Sequence, residues 1–278
     1  MKVYISADME GVTGLVDAED VQPGGRDYER GREMMTEDVN AAVRGAVAAG
    51  ADRVVVNDSH GPMRNLLSDH MHPAVDLIRG RAKPMGMAEG LDPSFDAAMC
   101  VGFHARAGAL GVLSHSFFGH EIEDMWLDDQ PVGEIGMLHA TARAYGVPMV
   151  FLSGDDAACA EAADRDPAMV TVPVKRAIDR FAAELRPAAE ARAAIEEGAR
   201  AAMARAGTTV RAEAEPAATV LAVRWQSASV AAHLLGIPGV KLRDSRTIEA
   251  TGRMPDVYRL FALFMRVASS LLNQPPYC

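Results

Sequence analysis

Asp8 and Glu10 stand two positions apart, immediately after an apolar run over residues 3–7. In an extended chain that spacing sends both carboxylates to the same side. Like charges held so close repel, and a divalent cation between them offsets the cost. Gly11 follows, a residue that lets backbone or ligand approach closely. Two later apolar runs end in imidazoles: residues 53–57 lead into Asp58, Ser59 and His60, and residues 97–103 lead into His104. Carboxylate plus imidazole, without sulfur, is a donor set for zinc, manganese or iron in hydrolytic sites. A turn or helix cap would explain Asp8 alone. Asp8, Glu10, His60 and His104 together, each just beyond a strand, read as one metal site.

Other residues leave alternatives open. Glu134, in Pro131-Val132-Gly133-Glu134, stands at the expected start of a helix reaching Tyr145. It is either a fifth ligand or a carboxylate favoured there by the helix dipole. His115, between Ser114 and Ser116, is a metal ligand, a proton shuttle or a surface residue. Asp58 is the acid expected to orient a ligating imidazole from outside the ligand set. Asp155 and Asp156 are expected to cap the helix that follows them. His70 and His72 read as a loop edge or subunit contact, and His120, His139 and His233 as structural or exposed.

The elements that must position these groups follow from periodicity. Apolar runs at residues 3–7, 53–57, 97–103 and 147–153 read as buried strands. Helical segments separate them, notably residues 34–49, where Val39, Val43 and Val47 recur every four positions before a stop at Gly50. This alternation predicts an α/β fold with a mainly parallel sheet flanked by helices. Functional groups in such sheets gather beyond the carboxyl ends of the strands. The second half predicts a short strand at 170–174, an Ala-rich helical region at 175–206 interrupted at Pro187, and a strand at 219–225. A helix near 227–235, an extended segment near 240–250 and a last helix over 256–272 complete a smaller C-terminal α/β subdomain. The expected organisation is a metal-binding catalytic region over 1–165 and a C-terminal region over 166–278 that serves oligomerisation and the pocket wall.

Composition narrows the partners. With 28 basic against 38 acidic residues the chain carries a formal charge of -10. A phosphate backbone or an anionic lipid surface would be repelled, so neither nucleic acid nor a membrane is an expected partner. The first apolar run is too short for a signal peptide, and no stretch approaches the roughly 18 apolar residues of a membrane span. Cys100, Cys159 and Cys278 share no short spacing, which argues against a disulfide framework and a thiolate zinc site. The expected compartment is the cytoplasm. His-Glu-x-x-His, Gly-x-Ser-x-Gly, Gly-x-x-x-x-Gly-Lys and Gly-x-Gly-x-x-Gly are all absent, which disfavours serine hydrolases, kinases and nicotinamide enzymes.

A set of ordered motifs carries a family resemblance. Ser6-x-Asp8-x-Glu10-Gly11, Tyr28-Glu29-Arg30-Gly31-Arg32 with Met35-Thr36, Asn57-Asp58-Ser59-His60, Glu89-Gly90-Leu91-Asp92, Gly102-Phe103-His104-Ala105, Ser114-His115-Ser116 and Pro131-Val132-Gly133-Glu134 together resemble the D-aminopeptidase family of zinc peptidases. This is the type associated with bacterial dipeptide-transport operons. The likeness covers about residues 1–160 and is diffuse afterwards. It implies a dinuclear site with two Zn2+ per subunit, Mn2+ or Co2+ being alternatives, in which Asp8 bridges and Glu10, His60, His104 and Glu134 complete the two shells. It also implies His115 as the catalytic histidine, and a homo-oligomeric decamer built of rings with the sites facing an internal channel. The implied activity is metal-dependent removal of the N-terminal residue of short peptides, including D-amino-acid peptides, by a metal-activated water. Hydrolysis of another bond, a phosphoester or non-peptide amide, is the rival among enzymes. A non-catalytic oligomeric metal- or peptide-binding protein is the rival outside them.

Overall fold

The computed structural model describes residues 1–206 and 218–272, so Cys278 lies outside the described residues. Its first half runs β1 (Lys2–Ala7), α1 (Ala18–Val21), α2 (Tyr28–Ala48), β2 (Arg53–Asp58), β3 (Val75–Ile78), β4 (Ala97–Phe103), β5 (Ile122–Leu127), β6 (Gln130–Pro131) and α3 (Glu134–Ala144). The second half continues β7 (Met149–Asp155), α4 (Asp156–Arg165), β8 (Val170–Asp179), β9 (Ala182–Leu185), α5 (Ala188–Ala206), β10 (Thr219–Trp225), α6 (Ala228–Leu234), β11 (Lys241–Leu242), β12 (Thr247–Gly252) and α7 (Met254–Leu272).

One sheet has the order β3-β2-β1-β4-β7-β8-β9. Its strands run parallel except β9, which returns antiparallel on β8. β1 is central, with Val3, Ile5 and Ala7 facing a core shared with Val39 and Val43 of α2 and Ile195 of α5. Tyr4 faces the opposite core, shared with Ile135 of α3 and Phe261 of α7. Burial on both faces explains why this strand reads as a continuous apolar run.

The second sheet, β11-β12-β10-β5-β6, is antiparallel and lies over the α3 and α7 side. Strands following residue 165, β8 and β9, therefore complete the first sheet, while β5 and β6 from the first half pair within the second.

The expected helix over 175–206 is corrected by the structure. β8 continues to Asp179 and turns into β9, and the helix starts only at Ala188, just after Pro187. β9 is made of helix-favouring residues, Ala182 to Leu185, and pairing with β8 overrides that preference. Pro187 opens a helix, where its missing N–H costs nothing, and does not interrupt one.

Candidate metal centre

Register explains why distant residues meet. Ala7 pairs with Asp58 on one side and Val101 on the other, so the ends of β1, β2 and β4 lie side by side. The Asp8 N–H donates to the Val101 carbonyl at 2.8 Å and the Gly11 N–H to Gly102 at 2.8 Å, which extends the pairing past the strand. Two glycines permit this. A Cβ on Gly11 would stand 1.9 Å from the Phe103 carbonyl oxygen, and one on Gly102, whose φ is +75°, would stand 2.3 Å from the Asp8 carbonyl oxygen. Gly11→Ala is accordingly expected to cost about 3 kcal/mol or more, since backbone must move. Thermal melting and zinc content measured together check this, and an unchanged melting temperature would refute it.

The structure brings together Asp8, Glu10, His60, His104, His115 and Glu134. The His60 Nδ1 lies 2.9 Å from Glu10 Oε2 and 3.3 Å from Asp8 Oδ1. The His104 Nε2 lies 3.5 Å from Asp8 Oδ2 and 3.4 Å from Glu134 Oε2. His115 stacks on His104 with ring centroids 4.1 Å apart, and its Nε2 is 3.7 Å from Glu134 Oε1. Among the described residues, three groups have donor atoms close enough for one ion: Asp8, Glu10 and His60; Asp8, His104 and Glu134; and Glu10, His104 and His115.

Whether these residues fit a metal is decided by the atoms without partners. Asp8 Oδ2 and His104 Nε2 are buried and make no hydrogen bond. Buried polar atoms are seldom left so. Their separation of 3.5 Å is long for a charge-assisted hydrogen bond. Two donors each about 2.1 Å from one zinc at a tetrahedral angle stand about 3.4 Å apart, so the donor set fits.

Each imidazole is oriented through its other nitrogen. The His60 Nε2–H donates to the Val21 carbonyl at 2.8 Å, and the His104 Nδ1–H to Ala105 at 2.9 Å. Such partners fix the tautomer that leaves a lone pair toward the cluster. Asp58 behaves differently from the expectation. Its carboxylate accepts from the Asn65 and Leu66 backbone N–H groups and from Asn65 Nδ2, so it holds the loop after His60 and does not touch the ring.

Charge in the cluster is balanced by protons when no cation is present. Burial, then the neighbouring Glu10 carboxylate, pushes the Asp8 carboxyl up to about 7. Burial disfavours charge on His60, but the Glu10 and Asp8 carboxylates outweigh it and lift this imidazole well above its usual value. Glu134 does the same for His104. His115 goes the other way, lowered by burial and by the adjacent His104.

The cluster lies in a cavity of about 630 Å³. Its remaining walls include Phe117 and Phe118, and Tyr258, Phe261 and Met265 of α7. His70 and His72 stay outside, their backbone held by the Asn40 amide of α2. His120 and His233 are exposed, and His139 packs in α3 near Asp166. The Asp155 carboxylate accepts from the Ala158 N–H and caps α4 as expected. Lys175 was not singled out from the sequence. Its Nζ, 3% exposed as a residue, donates to the carbonyls of Glu10, Val12 and Leu15, and burial brings the ammonium down to about 8.

Comparison with known proteins adds the decisive observation. A family model described as D-aminopeptidase matches residues 1–263. The chain belongs to the D-aminopeptidase family. A D-aminopeptidase of Bacillus subtilis (strain 168) is 45% identical over 201 residues, 72% of this chain and 73% of that protein. The solved structure of the Zn-dependent D-aminopeptidase DppA from Bacillus subtilis, described as a self-compartmentalizing protease, matches with a TM-score of 0.93 and 35% identity, covering 100% of both chains. Family likeness thus extends well beyond residue 160, where the motifs fade. The later residues contribute mainly strands, helices and apolar wall, whose residue types form no motif that sequence alone can single out.

Proposed function

We propose that this protein is a zinc-dependent aminopeptidase that removes the N-terminal, D-configured residue of short peptides. The observation that carries the reading is the convergence of Asp8, Glu10, His60, His104 and Glu134, with two partnerless atoms, on the floor of an open cavity. Asp8, with one oxygen toward His60 and the other toward His104, is assigned as the bridging ligand. Glu10 and His60 complete one shell, His104 and Glu134 the other. A pair of zinc ions, for which manganese or cobalt can substitute, supplies Lewis acidity for the scissile carbonyl and lowers the pKa of a water.

The chain's own groups do the remaining work. The His115 Nδ1–H donates to the Leu113 carbonyl at 2.9 Å, which leaves Nε2 as the free lone pair. His115 is assigned to take a proton from the attacking water and pass it to the leaving amine. Glu134 is steadied by the Phe117 N–H, which donates to its Oε1 at 2.5 Å. A cavity of about 630 Å³ accommodates a short peptide. Residues 166–278 are assigned to pocket wall and assembly contacts. The assembly proposed is a homodecamer with sites facing an internal chamber, supported by the self-compartmentalizing description of DppA. The compartment proposed is the cytoplasm, in keeping with the free, buried Cys100 and Cys159.

The test is metal analysis combined with parallel D- and L-aminoacyl nitroanilides, dipeptides and nitrophenyl phosphates. Cleavage confined to phosphates, or dipeptide binding without cleavage, would overturn the proposal. A second expectation concerns protons. The carboxylates around His60 and His104 hold both imidazoles above their usual values in the metal-free site, so protons compete with zinc for them. Zinc binding is expected to release protons and to weaken as pH falls. Titration calorimetry in buffers of different ionisation enthalpy measures this, and buffer-independent heats would contradict it.

A further inference from the structure

The cavity is lined by groups of both charges and by apolar side chains. Its acidic lining residues are Asp8, Glu10 and Glu134, all in the metal cluster. Its cationic ones are Arg81, Lys83 and Arg266. Lys83 is already committed, its Nζ donating to Asn57 Oδ1 at 2.7 Å and to the Asp58 carbonyl at 2.6 Å. Arg81 and Arg266 are exposed, and neither has a carboxylate partner among the described residues. The same lining includes an apolar wall in which Phe117 meets Phe261 edge-on at 4.7 Å, together with Phe118 and Met265.

A zwitterionic peptide carries the complementary groups, an ammonium at one end, an apolar or small middle and a carboxylate at the other. Guanidinium groups are the side chains best suited to grip a carboxylate with two parallel hydrogen bonds. An extended dipeptide or tripeptide spans only about 7–10 Å, a length such a cavity accommodates. We infer that Arg266 and Arg81 form a subsite for the free α-carboxylate of the substrate, so that the protein prefers unblocked di- and tripeptides to peptide amides. This inference rests on the aminopeptidase reading and deepens it: the floor performs the cleavage, and the arginines select chains that end within the cavity. Such a subsite discriminates by where a peptide stops, not by its sequence. The immediate consumers of its products are reactions that use free amino acids.

The test uses the zinc-loaded full-length protein with a D-alanyl dipeptide as its free acid and as its C-terminal amide. The parent is expected to favour the acid in kcat/KM by about two- to fivefold, the order expected of exposed charge-assisted contacts. Arg266→Gln combined with Arg81→Gln is expected to bring that ratio toward one, and Arg266→Glu to invert it. Binding is read separately by calorimetry with a non-cleavable reduced-amide dipeptide, acid against amide, where the same ratios are expected in Kd. A parent ratio near one, or a double variant that keeps the parent ratio while both rates fall, overturns the subsite. Hydrolysis of nitroanilides with no acid preference sinks the subsite but spares the aminopeptidase reading. Failure of the parent to cleave any of these substrates sinks both.

Discussion

Replacing Asp8 with alanine is expected to leave the protein with at most one zinc per subunit and to reduce turnover by at least about three decades. Asp8 belongs to two of the three donor groups, with one oxygen 3.3 Å from the His60 donor and the other 3.5 Å from the His104 donor. Glu10 also belongs to two groups, but among the described residues only Asp8 shares one group with His60 and another with Glu134, so the two proposed shells meet through it. Lewis-acid stabilisation supplies several kcal/mol at the transition state. At about 1.4 kcal/mol per tenfold in rate, losing most of it accounts for the expected fall. Folding is expected to survive, since a carboxylate that burial and Glu10 disfavour is being removed from the metal-free state. Metal analysis, circular dichroism and initial rates on one preparation decide the matter. Two zinc ions in a folded Asp8→Ala protein would refute the bridging role.

His115→Ala is expected to behave in the opposite way toward metal, keeping both ions while kcat falls by about 10²–10⁴, the range for loss of a general acid-base group. Its ring is partly exposed to the cavity, its Nδ1–H is held by Leu113, and its lowered pKa keeps it neutral at pH 7. A neutral imidazole with a free Nε2 is a base ready to accept a proton. The parent rate is expected to fall as pH drops through a value below the ordinary one for histidine, and the variant is expected to lose that limb. Loss of one zinc ion from His115→Ala would instead make this residue a ligand, through the group it forms with Glu10 and His104.

How much of this was legible in the sequence depends on the kind of signal. Asp8, Glu10, His60 and His104 could be read because they follow apolar runs directly, and a parallel sheet must bring strand ends to one edge. The register of β1 with β2 and β4 then brings them together. Glu134 and His115 arrive by loops, so their convergence depends on tertiary packing, and residues alone left alternatives. Asp58 was expected at an imidazole and instead holds backbone N–H groups, a choice that local sequence cannot dictate. Lys175 sits mid-strand in β8 with no motif around it, so its three carbonyl partners on the segment after β1 are visible only in three dimensions. The β8–β9 hairpin was misread as helix because Ala and Glu report helix propensity and not the neighbour they pair with.

The late helix α7 lines the cavity with Tyr258, Phe261, Met265 and Arg266, yet it contributes to none of the three candidate donor groups. One wall of the cavity is thereby carried on a stretch of polypeptide separate from every candidate ligand. Substitutions along α7 can retune which peptides are accepted while the hydrolytic machinery stays intact, so related proteins can diversify their diets without reinventing their chemistry.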